Sequence, residues 1–145
     1  MSGLSFTYGV DNEPHPAKFE KGGEDAWLAQ ENLIVVSDGV SAWEKVGVDS
    51  GLFSKSLVSD IKNIYDANPD RDLKQILIES VRMNKNPGTA TVVLAKLQNS
   101  TLDTTNLGDS GYLLYRPTPL GTLKLLFRSQ DQSHKFNFPY TCGSN

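Results

Sequence analysis

Cysteine is all but missing from this chain. Cys142 is the only one, so no intrachain disulfide can form and a zinc cluster built on cysteines is excluded. Long apolar runs are missing as well. The longest, Leu33 to Val36 and Val92 to Ala95, fall far short of the roughly 20 residues that span a bilayer. No basic stripe appears either: 14 Lys and Arg are set against 17 Asp and Glu, for a net charge of -3. A phosphate-backbone partner such as DNA or RNA is therefore not expected. The opening MSGLSFTYGV lacks the positive lead and apolar core of a signal peptide. With the single cysteine, this points to an intracellular, reducing compartment. There is no GxGxxG and no Walker sequence, so nothing announces a nucleotide fold.

What is present suits one globular domain. The 145 residues, 38% apolar and 21% charged, can bury a core but not two ordinary ones. Ser5 to Val10 alternates enough to predict a strand, followed by a proline loop to Pro16. Phe19 to Glu24 reads as a flexible lead through Gly22-Gly23. Ala26–Gln30 and Leu33–Ser37, joined through Glu31-Asn32, predict a hairpin. From Asp49 or Ser50, which can cap a helix, Phe53, Leu57, Ile61, Ile64 and Tyr65 recur at helical spacing up to Asn68-Pro69. Asp72 caps a second helix with Leu73, Ile76, Leu77 and Val81 on one face, ended by Asn86-Pro87-Gly88. Strands follow at Thr89–Leu97, Leu102–Leu107, Gly111–Arg116 and Leu123–Arg128. Hairpins around a grouped pair of helices predict an antiparallel α+β layer fold.

Two motifs could carry chemistry. In Asn106-Leu107-Gly108-Asp109-Ser110-Gly111-Tyr112, the GDSG core has the look of a serine-protease nucleophile loop. A serine nucleophile needs a base and a group to orient it. The chain has two histidines, His15 in a proline-flanked loop and His134 in a polar tail, neither in a protease context. Covalent serine catalysis is not expected. The carboxylates offer more. Glu24-Asp25 stands just before one hairpin strand, and Asp38-Gly39 closes the other. Pairing of the strands would bring both acids to one sheet edge. Oxygen donors there suit a hard cation such as Mg²⁺ or Mn²⁺, and Gly39 has no side chain to obstruct it. The plainer alternative is an acidic turn beside a solvated strand edge.

Five segments in order, GGEDAW at 22–27, VVSDGVSAW at 35–43, GTAT at 88–91, NLGDSGYLLYR at 106–116 and RSQDQSHKFNFPY at 128–140, resemble the metal-dependent serine/threonine protein phosphatases of the 2C type. The similarity is greatest to the mitochondrial and plastid branch, which leaves mitochondrial and cytoplasmic locations open. The resemblance implies a four-layer α-β-β-α sandwich, of which residues 1–145 would form the N-terminal portion of a single, partial domain. It implies two divalent ions activating a water that attacks phosphoserine or phosphothreonine in a phosphoprotein substrate. By motif, Asp38 would bridge the metals, Gly39 would offer its carbonyl, and Asp25 would coordinate through water. Glu24 would support Asp25 from behind, Asp109 would help hold an additional ion, and Ser110 would be a turn residue.

Three departures qualify the match. Lys18 and Lys21 replace the arginine that usually contacts phosphate, with Lys21 the weak candidate; a lysine is a point charge rather than a fork. Val40 stands where many members carry a histidine. Beyond Asp109 only Asp131 remains, and the family's further metal aspartates have no counterpart. The chain is then a fragment, or a protein partner covers the open half-sandwich, or a reduced fold serves as a non-catalytic scaffold. Trp27 and Trp43 read as core or loop anchors. Phe136, Phe138 and Tyr140 are expected to pack the tail onto the sheet, or else to mark a partner surface.

Overall fold

A computed structural model describes residues 3–144. Alternation of burial along the hairpin decides the architecture. In β1 (Asp25–Ala29) and β2 (Leu33–Gly39), Ala26, Leu33, Val35, Ser37 and Gly39 point inward while Val36 and Asp38 point out. The helices α1 (Ser50–Ala67) and α2 (Leu73–Met83) cover that inward face. Asp49 caps α1 by accepting from the Gly51 N–H at 2.9 Å, and Asp72 caps α2 by accepting from the Gln75 N–H at 3.1 Å. Such caps satisfy amides that the first turn leaves without partners. Phe53, Leu57, Ile61 and Ile76 lie fully buried against Leu33, Val35, Val92 and Leu94. Each of these side chains contributes about 1.5–3 kcal/mol by leaving water.

The main sheet runs β1-β2-β3-β4, all antiparallel, with β3 (Thr89–Gln98) and β4 (Thr101–Leu107) completing the hairpin ladder. A long hairpin, β5 (Leu113–Pro117) and β6 (Leu123–Arg128), forms its own two-stranded sheet. A third pair, β7 (Ser133–Lys135) and β8 (Phe138–Pro139), follows, and β9 (Cys142–Gly143) returns to pair with the start of β3. The antiparallel α+β expectation holds. No helix among the described residues is long and apolar enough to cross a membrane.

Several local expectations fail. Ser5–Val10 is not a strand: Phe6 and Leu4 each make one backbone bond, to the carbonyls of Glu31 and Asn99, and no ladder forms. The supposedly flexible lead contains a 3₁₀ helix, Pro16–Lys21, and a second one spans Ser41–Val46. The second helix ends at Met83, capped by Asn84, before the Asn-Pro-Gly stop. The strand expected from Gly111 starts at Leu113 because the Tyr112 N–H is taken by the Ser129 hydroxyl. Trp27 is no core anchor; it stands 48% exposed on the face turned away from the helices, beside the equally open Val36. Phe136, Phe138 and Tyr140 do not pack onto the main sheet. Phe136 is fully exposed, and the other two gather around His134 instead.

Candidate functional site

The hairpin register places Asp25 directly opposite Asp38, and the next pairing places Asp38 opposite Thr91. These three residues share the outer face, at the end where β2 stops. Side chains of directly opposed residues interact across the ladder, and like charges there repel. The consequence shows in Asp38, whose carboxyl is pushed up to about 7. Desolvation is the largest cause. The like charge of Asp25 and a hydrogen bond to it come next, followed by the charges of Asp109 and Glu24. Asp38 still reaches solvent, so water screens part of this crowding.

Asp109 arrives from the turn after β4. Gly108 holds that turn with φ +89, a backbone shape that side chains rarely adopt. Asp109, Asp38, Gly39 and Glu24 line one cleft of about 470 Å³, together with Trp43, Phe138 and Pro139. A slightly larger hollow, about 530 Å³, lies around Lys96 and Asn99 at the opposite end of β3. There the Lys96 ammonium is spent on the carbonyls of Pro69 and Arg71, which pins the connection between the helices. The acidic cleft is the better candidate.

Glu24 faces a different duty. Its carboxylate accepts from the Ser50 hydroxyl at 3.0 Å and pairs with Lys18 at 2.7 Å. Lys18 also reaches Glu44 at 3.2 Å. Burial works against its charge, but the two carboxylates outweigh this and hold its pKa above the ordinary lysine value. The Glu24 carbonyl accepts from the Gly39 N–H and from the Ser54 hydroxyl. Glu24 thus ties the end of β2, the start of α1 and both 3₁₀ helices together around Asp25 and Asp38. The sequence did not reveal Lys18 as this tie; only its spacing from two distant acids in space does. Lys21 lies apart from Asp38, beside a shallow hollow lined by Glu44, Gly47, Val48 and Asp49.

All-oxygen donors that repel one another suit a hard divalent cation, which would relieve the crowding that raises Asp38. Among the described residues, no group of three or more His, Cys, Asp or Glu side chains is drawn close enough to hold a metal. An ion there would be held by the Asp25–Asp38 pair with water filling its other positions, as Mg²⁺ tolerates. Asp109 lines the cleft with Asp38, whereas Asp25 borders a separate hollow with Gly22 and Lys55.

The crowding gives a test without any metal. A group whose folded pKa lies above its unfolded value stabilises the fold at low pH and loses that contribution as pH rises through the folded value. In chelator, the melting temperature is expected to fall as pH climbs from about 4 to about 7, and Asp38→Asn should flatten part of that slope. An identical slope in the variant would show that Asp38 is not the crowded group.

Ser110 shares a hydrogen bond with the Thr91 hydroxyl at 2.6 Å, and no histidine bonds to it. Nothing activates it as a nucleophile. Ser110→Ala is expected to cost about 1 kcal/mol of stability. Labelling of Ser110 by a covalent serine-hydrolase inhibitor would contradict this placement.

No family model matches the chain. It is 37% identical over 131 residues to probable protein phosphatase 2C 55 of Arabidopsis thaliana, which covers 88% of this chain and 27% of that protein. To probable protein phosphatase 2C 26 of the same plant it is 35% identical over 146 residues, covering 97% of this chain and 47% of that one. The X-ray structure of the photosystem II phosphatase PBCP superimposes with a TM-score of 0.82 at 30% identity, over 92% of this chain and 53% of that one. The chain thus spans less than half the length of these two curated relatives.

Proposed function

We propose that this chain, a homologue of the protein phosphatases 2C that carries the N-terminal portion of their fold, hydrolyses phosphoserine and phosphothreonine in phosphoproteins with the help of Mg²⁺ or Mn²⁺. The observation that carries the reading is the register that sets Asp25 directly across the ladder from Asp38, with Asp38 and Asp109 lining one cleft. A divalent ion held there would supply Lewis-acid polarisation of a phosphoryl oxygen and would lower the pKa of a bound water. Everything else falls to the chain. Asp25 and Asp38 bind the ion, and Asp109 adds negative charge to the same edge. Glu24, braced by Lys18 and Ser50, fixes the strand ends that carry the two aspartates. Gly39 brings the β2 terminus close beneath them.

The acidic edge alone would repel a phosphate, so substrate binding rests on the cation. Lys18 does not supply a free positive charge, because Glu24 and Glu44 already claim it. The open outer face, with Trp27, Val36 and the apolar β5–β6 hairpin, is the surface on which a covering protein layer would sit.

A scaffold without catalysis remains the rival, favoured by the lack of a three-carboxylate cluster among the described residues. Hydrolysis of a phosphothreonine peptide, titrated with Mn²⁺ and then with chelator, separates the two. Turnover that rises with metal and stops with chelator supports the enzyme. A folded sample that neither binds Mn²⁺ by calorimetry nor releases phosphate supports the scaffold.

A further inference from the structure

The cleft is larger than a phosphate needs, and its lining is chemically mixed. One part is the acidic edge. The rest of the lining brings Val40, Trp43, Phe138 and Pro139 together with the polar Ser41, Asn137 and Thr141. Trp43 and Phe138 are both held in place. The Trp43 indole N–H donates to the Thr89 hydroxyl at 2.9 Å, which fixes the ring beside β3. The β7–β8 hairpin is fastened to the Asp109 turn through Gln132. The Gln132 N–H donates to the Gly108 carbonyl at 2.8 Å, its side-chain oxygen accepts from the Gly108 N–H at 3.2 Å, and its carbonyl accepts from the Tyr140 N–H at 3.0 Å. His134 packs on Tyr140 and Phe138, with ring centroids 4.1 and 5.5 Å away. Phe138 nevertheless keeps 55% of its surface open. The ring, half open with the Lys135 ammonium 5.7 Å from its centroid, lines the same cleft as Asp38 and Asp109, where a ligand's side chain can meet it.

Successive residues of an extended peptide are spaced by about 3.3–3.6 Å. A peptide whose phosphate sits beside Asp38 and Asp109 enters the same cleft that Phe138 and Pro139 line. We propose that Phe138 and Pro139, together with Trp43, read the residue flanking the phosphorylated one and select an apolar side chain there. This rests on the phosphatase reading and names the substrate class within it: phosphopeptides with a leucine-like neighbour rather than a glycine. The β7–β8 hairpin is the specificity element, and Gln132 sets its position relative to Asp109.

Two phosphothreonine peptides, identical but for Leu or Gly beside the phosphorylated residue, test it. The Leu peptide is expected to show a kcat/KM about tenfold higher, the usual scale for a buried apolar side chain. In Phe138→Ala, and separately in Pro139→Ala, the ratio should collapse to below about threefold, whatever happens to absolute rates. Equal rates for the two peptides in the unaltered protein, or a ratio that survives both substitutions, would overturn the proposal. If neither peptide is hydrolysed, the phosphatase reading fails separately. Calorimetric binding of the same peptides in Mn²⁺ then decides: a preference for Leu lost in Phe138→Ala upholds the proposal, and equal binding overturns it.

Discussion

Asp38→Asn is expected to abolish metal-dependent phosphate-ester hydrolysis while raising the melting temperature of the chelated protein. The two effects have one origin. Desolvation, followed by the charge of Asp25 opposite and the fields of Asp109 and Glu24, pushes the Asp38 carboxyl up to about 7. An asparagine keeps the shape, drops the charge, and can donate a hydrogen bond to Asp25 where a carboxylate repels it. The metal-free fold is therefore relieved at neutral pH. The same change removes the anionic oxygen that would bind the cation. Loss of several kcal/mol of charge stabilisation at the reacting phosphoryl group corresponds to about three orders of magnitude in rate. Steady-state hydrolysis in saturating Mn²⁺, and thermal melts in chelator, check the two halves independently. A variant that hydrolyses at the original rate would remove Asp38 from the chemistry. A variant that loses activity and also melts lower would point to simple loss of structure.

The helices and the first hairpin were legible because their signals are local. Asp49 and Asp72 stand where caps are needed, apolar residues follow at helical spacing, and Glu31-Asn32 separates two short apolar runs. The convergence of Asp25 and Asp38 follows from that hairpin alone, since antiparallel strands bring the start of one beside the end of the other. What stayed hidden depends on packing between distant segments. Ser5–Val10 alternates, but no neighbouring strand offers it an edge. Trp27 reads as a core or loop anchor, yet its position in the alternation puts it on the face without helices. The clustering of His134, Phe138 and Tyr140 cannot be read from a polar tail, because it depends on Gln132 docking against Gly108. Lys18 looked like a phosphate ligand by its place before Glu24-Asp25, and only the fold shows it already paired with two acids.

Gly39→Ala is expected to destabilise the fold by about 3 kcal/mol, roughly 10 °C in melting temperature, and to weaken cation binding with it. The sequence suggested a different reason for this glycine, that a side chain would block a cation. The structure gives a packing reason. Gly39 faces inward, and a Cβ built on it would lie 2.7 Å from the Glu24 carbonyl oxygen and 2.9 Å from that of Ser50. Both are backbone atoms, and neither can yield cheaply. The Glu24 oxygen accepts from the Gly39 N–H itself, so pushing it away breaks a bond as well as shifting a strand. Because Glu24 precedes Asp25 and Gly39 follows Asp38, the displacement falls on both aspartates at once. If the glycine served only cation access, the alanine variant would melt normally in chelator and lose Mn²⁺ binding alone. Packing predicts that both fall together. Gly9→Ala, where an added Cβ meets nothing within 4 Å, supplies the control and should melt like the unaltered protein.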